Sequence, residues 1–353
     1  MKGNYRIFTM SLSMVFAFSL LSGCSAGNQA ENNQTPAAVT EAAGTAPAET
    51  SQEASRAEPW KPEGPITLVV HNAAGSGTDT IFRAWAAAAE KQLNVSVVIE
   101  NIGGGSFIPA MTAIAGAEPD GYTIGGITES PYYAAGFIGD YSVDLFSQLD
   151  VLLQGVENFN LLAAGSDAPY NTLEEFIQYA KEHPEENISL GNSGVGGIHD
   201  ITIRKFMKEA GITNISSVAY NGASDSAAAV AGGHIAGHVA GFSPNRSLIE
   251  SGHIKLIGTF KEGSDRDERF PDLQSANELG LDAAGLQKWG ICVPAGVEDS
   301  VKLCLYDAFK NALEDPDFME IVEAQGMLIH YLDGEALTGI YKEIYDNAAE
   351  FSE

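Results

Sequence analysis

The sequence predicts an α/β protein whose body folds as two lobes facing a ligand cleft. Three observations carry this. Short β-branched runs alternate with amphipathic runs along the first third of the body. The same rhythm begins again in the middle of the chain. In each half a glycine-rich loop joins a strand to a helix, "AAGSGTD" at 73–79 and "GNSGVGG" at 191–197.

The elements follow in order. "ITLVV" (66–70) is a buried-strand run. "DTIFRAWAAAAEKQL" (79–93) sets Ile81, Phe82, Trp85, Ala89 and Leu93 on one helical face. "VSVVIE" (95–100) is a strand. "SFIPAMTAIAGA" (106–117) is a helix whose proline falls near its start, and "DGYTIGGIT" (120–128) is a turn and strand. Parallel strands joined by crossover helices suit this order.

The second unit opens with the strand "NLLAAG" (160–165) and a helix at 172–184 with Thr172 as its N-cap. Residues 188–211 read as strand, glycine loop and helix. "SSVAY" (216–220) is a strand, and "GASDSAAAVAGG" (222–233) a helix closed by glycines. "HIAGHVAGF" (234–242) and "IKLIGTF" (254–260) are strands. Helices at 300–315 and 334–351 end the chain. Hinges are expected near 158–165 and 257–264, where the chain changes lobe.

The ends carry their own signals. Residues 1–23 have a basic start (Lys2, Arg6) and a short apolar core, the form of a secretory signal peptide. Leu21-Ser22-Gly23-Cys24 fits a bacterial lipobox, with Cys24 lipidated as the first mature residue; the plainer alternative is an incidental cysteine after an ordinary signal. Residues 24–60, rich in Ala, Glu, Thr, Gln, Asn and Pro, read as a disordered tether to a membrane. The expected organisation is lobe 1 from 61–160 and 261–353, and lobe 2 from 161–260. Cys292 and Cys304 are expected as ordinary thiols.

The chain has 19 Lys and Arg against 47 Asp and Glu, a net charge of −28. That balance argues against a nucleic-acid partner, which requires a basic face. It leaves small anions open, because local dipoles set the field in a pocket.

The loops suggest their own chemistry. Glycines let backbone amides approach a ligand. Thr78 or Asp79 can cap the following helix, whose first free N–H groups then form an anion site. The alternative is a pair of tight turns. A Walker A loop would need Gly-Lys-Ser/Thr, and a dinucleotide fingerprint a third glycine after Gly75 and Gly77; neither is present. Gly-x-Ser-x-Gly and His-Glu-x-x-His are absent too. His234 and His238 would share one strand face as a metal pair, but polar strand residues with hydrogen-bond partners are the simpler expectation. No metal or cofactor is expected.

At this point the chain resembles the tripartite tricarboxylate transporter substrate-binding proteins, the Bug or TctC-like receptors. The resemblance rests on Ala73-Ala74-Gly75-x-Gly77-Thr78-Asp79 after a strand, Pro119-Asp120-Gly121-Tyr122-Thr123, and Tyr220-Asn221-Gly222-Ala223 before a helix. "GNSGVGGIH" and "WGICVPAGV" fall in the expected order, so it covers nearly all of the body from Pro65. It implies a periplasmic-binding-protein fold, type II-like, and a non-enzymatic monomer. That receptor captures a small carboxylate and hands it to a two-component membrane permease. Carried over by position, the ligand site comprises Ala74, Gly75, Ser76, Gly77, Thr78 and Asp79 from the first lobe. Ser193, Gly194, Val195, Gly196 and Gly197 come from the second, with Tyr220, Asn221 and Ala223 nearby. Asn160 stands close to the crossover, and Thr128, Glu129 and Ser130 end a first-lobe strand.

The chain departs from the family at His71 and Asn72, where proline and an apolar residue are usual, and at Asp200, which takes the place of a histidine. "ESPYY" (129–133) is unusual; Tyr132 and Tyr133 are expected to pack rather than touch ligand. Glu129, if it faced the site, would accept an amino group and favour an amino-acid-like zwitterion. A sensory lipoprotein is another reading. An extracytoplasmic hydrolase would need an acid–base pair, for which Asp79 with His71 or His199 is the best candidate.

Overall fold

In the computed structural model the described residues are 60–351. The signal peptide (1–23), Cys24 and nearly all of the tether (24–60) lie outside them. The first sheet begins with β1 (Ile66–Val70), α1 (Gly77–Leu93), β2 (Val97–Asn101), α2 (Ile108–Ala115), β3 (Thr123–Thr128), α3 (Ser130–Ile138) and β4 (Leu149–Phe159). The chain then enters a second sheet: β5 (Leu161–Gly165), α4 (Leu173–Glu182), β6 (Ile188–Asn192), α5 (Ile198–Ala210), β7 (Ile215–Ala219), α6 (Ala223–Ala231), β8 (Gly237–Ala240), α7 (Arg246–Glu250) and β9 (Ile254–Thr259). It returns with β10 (Leu286–Pro294), α8 (Asp299–Asn311), α9 (Pro316–Ala324), β11 (Leu328–Asp333) and α10 (Gly334–Ala348).

The six-stranded sheet runs β11-β4-β10-β3-β1-β2, and the five-stranded sheet β7-β6-β8-β5-β9. Parallel pairing is narrower than the sequence suggests. It joins β1 to β2 and β3, and β6 to β7 and β8. β4, β5, β10 and β11 pair antiparallel. β5 and β10 are the strands by which the chain changes sheet, and each enters from the opposite end, so its pairing needs no crossover helix.

Each sheet has its own core. In the first, Trp85 of α1 stacks on Phe318, meets Phe309 edge-on, and donates its indole N–H to the Phe309 carbonyl at 2.8 Å. In the second, Phe206 lies between Phe176 and Phe260. Burial of such rings is the main force holding each layer.

The connections between sheets meet at one residue. Asn160, between β4 and β5, donates its backbone N–H to Gly285, and its carbonyl accepts from Phe260, each at 2.8 Å. Its side chain is fully buried, bonded to Thr202 and Gln287. Both crossings are thus tied together at the base of the cleft.

Candidate ligand-binding site

A cavity of about 220 Å³ opens between the two sheets. Its wall is drawn from loops that follow β1, β6, β7 and β8, from Gln287 and Trp289 of β10, and from Met327. These loops leave the C-terminal ends of strands, where open α/β sheets hold ligands.

The first loop is shaped by its own polar residues. Ser76, not Thr78 or Asp79, caps α1: its Oγ accepts the Asp79 N–H at 3.2 Å. Asp79 turns back instead. Its Oδ2 accepts the Gly75 N–H at 2.8 Å and the Arg83 Nε at 2.9 Å, while Oδ1 accepts from Asn101 at 2.9 Å. Burial alone would raise its pKa. The hydrogen bonds from Arg83, Gly75 and Asn101 and the guanidinium charge outweigh that and hold it below the usual carboxylate range. Gly75 needs its glycine, since its φ is +81°.

The second loop is built alike. Asp200 accepts the Gly196 N–H at 2.9 Å and faces Arg204 Nε at 3.2 Å, and Ser217 donates to it at 2.6 Å. Asn192 accepts the Gly194 N–H. A third helix, α6, also begins at the cavity, with Asn221, Gly222, Ala223, Ser224 and Asp225 in the wall.

Three helix N-termini therefore surround the cavity. Among the described residues, the amides of Gly77 and Thr78 on α1, and of Ala223 and Ser224 on α6, have no intramolecular partner. Neither Lys nor Arg lines the wall. The donors it offers are backbone amides at helix N-termini, and the exposed Asp225 carboxylate shares the wall.

Of the residues expected at the site, Ala74, Gly75, Ser76, Gly77, Thr78, Ser193, Asn221 and Ala223 line this cavity. Asp79 lies behind the loop it braces, 2% exposed. Gly196 and Gly197 face across to the other lobe, against Phe137 and Phe107, Gly194 also approaches Phe107, and Val195 is an exposed tip. Tyr220 donates its backbone N–H to Asn192 beside the wall. Thr128, Glu129, Ser130 and Asn160 are buried beneath it. Glu129 accepts from the Lys288 backbone N–H at 2.7 Å and from Ser130 Oγ at 3.1 Å, so it turns away from the cavity. Tyr132 stacks on Tyr341 in the core.

Sequence reasoning missed His199, Gln287, Trp289 and Ser243 as wall residues. The hydrolase pair is not assembled: Asp79 is engaged by Arg83, His71 by Thr128 and Gly126, and His199 by Ser193. The metal pair fails as well. The strand starts at Gly237, leaving His234 in a turn, and both nitrogens of His238 are bonded, to Ser226 and Asn245. No cluster of metal-ligating side chains occurs among the described residues. Cys292 and Cys304 are free.

The chain belongs to the tripartite tricarboxylate transporter family of receptors, whose profile matches residues 81–348. It is 30% identical over 275 residues to a UPF0065 protein of Cupriavidus necator, covering 78% of this chain and 82% of that one. The periplasmic binding protein BugD is similar in structure, with a TM-score of 0.71 and 26% identity over 82% of this chain and 96% of BugD. MatC from Rhodopseudomonas palustris, solved with bound malate, shares the fold with a TM-score of 0.74 and 23% identity, covering 83% of this chain and all of MatC (100%). The family is one of solute-binding receptors, not enzymes.

Proposed function

We propose that the protein captures a small carboxylate between its lobes, outside the cytoplasm, and delivers it as a monomer to a two-component membrane permease, held to the membrane by lipid on Cys24. One observation carries the ligand class. Unpartnered amides at the starts of two helices face one cavity, the start of a third borders it, and no cationic side chain lines it. Backbone donors and helix dipoles suit an oxyanion, and they keep its charge without a buried salt bridge. The cavity is smaller than the roughly 300–1,000 Å³ of sites for drug-sized molecules, which favours a compact acid. The malate in MatC, a protein of the same fold, is such an acid.

The wall residues assigned to the ligand are Ala74 to Thr78, Ser193, Asn221 and Ala223. Asp79 and the glycines at 194, 196 and 197 hold the loops around them. Closure by hinge motion at the paired crossings beside Asn160 would complete the enclosure.

Thermal melts of the full chain against mono-, di- and tricarboxylates and amino acids test this, with native mass spectrometry for a copurifying acid. A melt raised by one class of acid supports the reading, because a ligand that binds only the native state stabilises it. Indifference to every carboxylate would overturn it.

A further inference from the structure

On one flank of the cavity the two lobes grip each other. Helix α9 and strand β11, on the first sheet's side, are joined by a turn at 325–327. Its shape is fixed locally. Gly326, at φ +69°, donates its N–H to the Glu323 carbonyl at 2.8 Å, and Met327 donates to Val322 at 3.0 Å. The turn brings Met327 from the first core into the cavity wall. A Cβ on Gly77, whose free amide is one of the ligand donors, would lie 3.9 Å from Met327 Cε and 3.8 Å from Ser243. One point of the wall is therefore shared by α1, this turn and the loop after β8.

The groups that hold the turn come from the other lobe. The Ala324 carbonyl accepts from Arg246 at 2.9 Å, and the Gly326 carbonyl accepts from Arg269. A guanidinium suits the negative end of a helix dipole and its last carbonyls. Phe242 packs so closely on Gly326 that a Cβ there would lie 2.8 Å from its ring. Arg269 lies between β9 and β10, in a segment whose Ala276 and Ala283 pack in the second core. Asp267 grips its guanidinium at 2.7 and 2.9 Å, and the rings of Phe159 and Phe270 lie against it. Arg246 follows a braced loop: Asn245 bonds His238 at 2.6 Å and the Gly241 carbonyl at 2.9 Å. Gly241, Ser243 and Pro244 of that loop line the cavity. One segment thus meets the ligand space and grips the opposite lobe.

We propose that Arg246 and Arg269 are positioning residues of the ligand site: capping α9 from the other lobe, they hold Met327 in the cavity wall and set how long a captured ligand stays. This rests on the two-lobed capture proposed above and deepens it. Rotation at the crossings beside Asn160 draws the turn away from residues 241–246, so release of the ligand has to break the arginine caps. Entry precedes their formation and does not depend on them.

The test follows malate binding to the full chain by stopped-flow fluorescence, Trp289 lying in the wall, with small-angle X-ray scattering of the free chain beside it. Arg246→Ala should speed malate release about tenfold, the scale of one hydrogen bond to a charged group, and leave association within twofold. Arg269→Ala should act in the same direction, and Arg246→Lys, which still offers a donor to Ala324, should restore most of the slow release. A damaged fold lowers the amplitude and leaves the release rate as it was, and Arg246 is exposed, so its variant keeps the test open if Arg269→Ala fails to fold. Release unchanged in Arg246→Ala would overturn the inference and leave the carboxylate reading intact. If malate does not bind, scattering decides: a free chain widened by Arg246→Ala supports the clasp, and an unchanged one overturns it. The carboxylate reading is then judged separately, by the melts against the full panel of acids.

Discussion

Asp79 and Asp200 hold equivalent posts in the two lobes. Each lies in the first turn of the helix after a glycine loop. Each accepts the backbone N–H of the residue four before it, Gly75 or Gly196, and pairs with the arginine four after it, Arg83 or Arg204. A side chain from the neighbouring strand completes both, Asn101 for one and Ser217 for the other. The negative charge sits where the helix dipole favours it and is neutralised by arginine. The loop can then meet an anion without repelling it.

Removing that brace from either lobe should weaken binding without destroying the fold. Asp79→Asn and Asp200→Asn keep shape but lose charge-assisted bonds, at about 2 kcal/mol of stability each. Affinity for the bound carboxylate should fall tenfold or more, as loop amides lose their fixed aim. Calorimetric titration beside urea unfolding checks this; undiminished affinity in both variants would show that the loops hold their form without the carboxylates.

Acid should unfold the protein through three histidines. His71 and His238 are lowered to about 4, and His199 to about 3, chiefly because burial disfavours the charged ring. Between those values and 6.5, the unfolded chain binds more protons than the native one. Stability therefore rises with pH across that window and is lost as pH falls through it. Each histidine contributes about 1.4 kcal/mol per pH unit within its window. His71→Gln, which can still bond Thr128 and Gly126, should reduce the slope of urea stability against pH by one proton. A flat profile from pH 4.5 to 6.5 would contradict the buried neutral state.

Much of this was legible in the sequence, and the gaps have physical causes. Elements with one wet face declared themselves: α1, α4 and α5 show clear apolar stripes, and Thr172 caps α4 as its position suggests. β4 and β10 did not. Their strands are covered on both sides, and polar Gln154, Asn158, Gln287 and Lys288 are buried within them, so neither alternation nor an apolar run marks them. The start of α3 was hidden by Ser130-Pro131, a proline at the first turn that reads equally well as a loop. At the site, local spacing revealed the glycine loops. The contributions of Gln287 and Trp289 depend on a strand that returns more than 100 residues after the first loop, and only a signal for β10 could have found them.

The two loop glycines should respond differently to alanine. Gly75 has φ +81° and open space around it, so Gly75→Ala carries only the backbone cost, about 1 kcal/mol. Gly196 has φ +72°, and a Cβ there would lie 3.1 Å from Phe137 and 3.3 Å from the Ala134 backbone, across the cleft on α3. Gly196→Ala should cost more, about 2–3 kcal/mol, because it adds crowding between the lobes. Unfolding midpoints of the pair separate the two contributions; equal losses would mean the lobes yield freely at that contact.

Glu129 should act against the histidines. Desolvation raises its carboxyl to about 7, only partly offset by the Lys288 backbone N–H, the Ser130 hydroxyl and the Lys288 charge. Tyr133 and Tyr341 face the same carboxyl and are neutral in this range, each pushed upward by burial. Between 4.5 and 7 the native chain binds this proton more tightly than the unfolded one, so stability falls as pH rises through that window. Below about pH 7 the three histidines outweigh this single group, and above it the two opposed contributions nearly cancel. Stability should therefore rise with pH to about 7 and level off toward pH 8. Glu129→Gln keeps an acceptor for Lys288 and carries no charge. Its urea stability should rise more steeply than the parent's between pH 5 and 7 and exceed it at pH 8. A variant that is less stable than the parent at pH 8 would show that the ionised carboxylate is held favourably by its partners, and that burial does not dominate its environment.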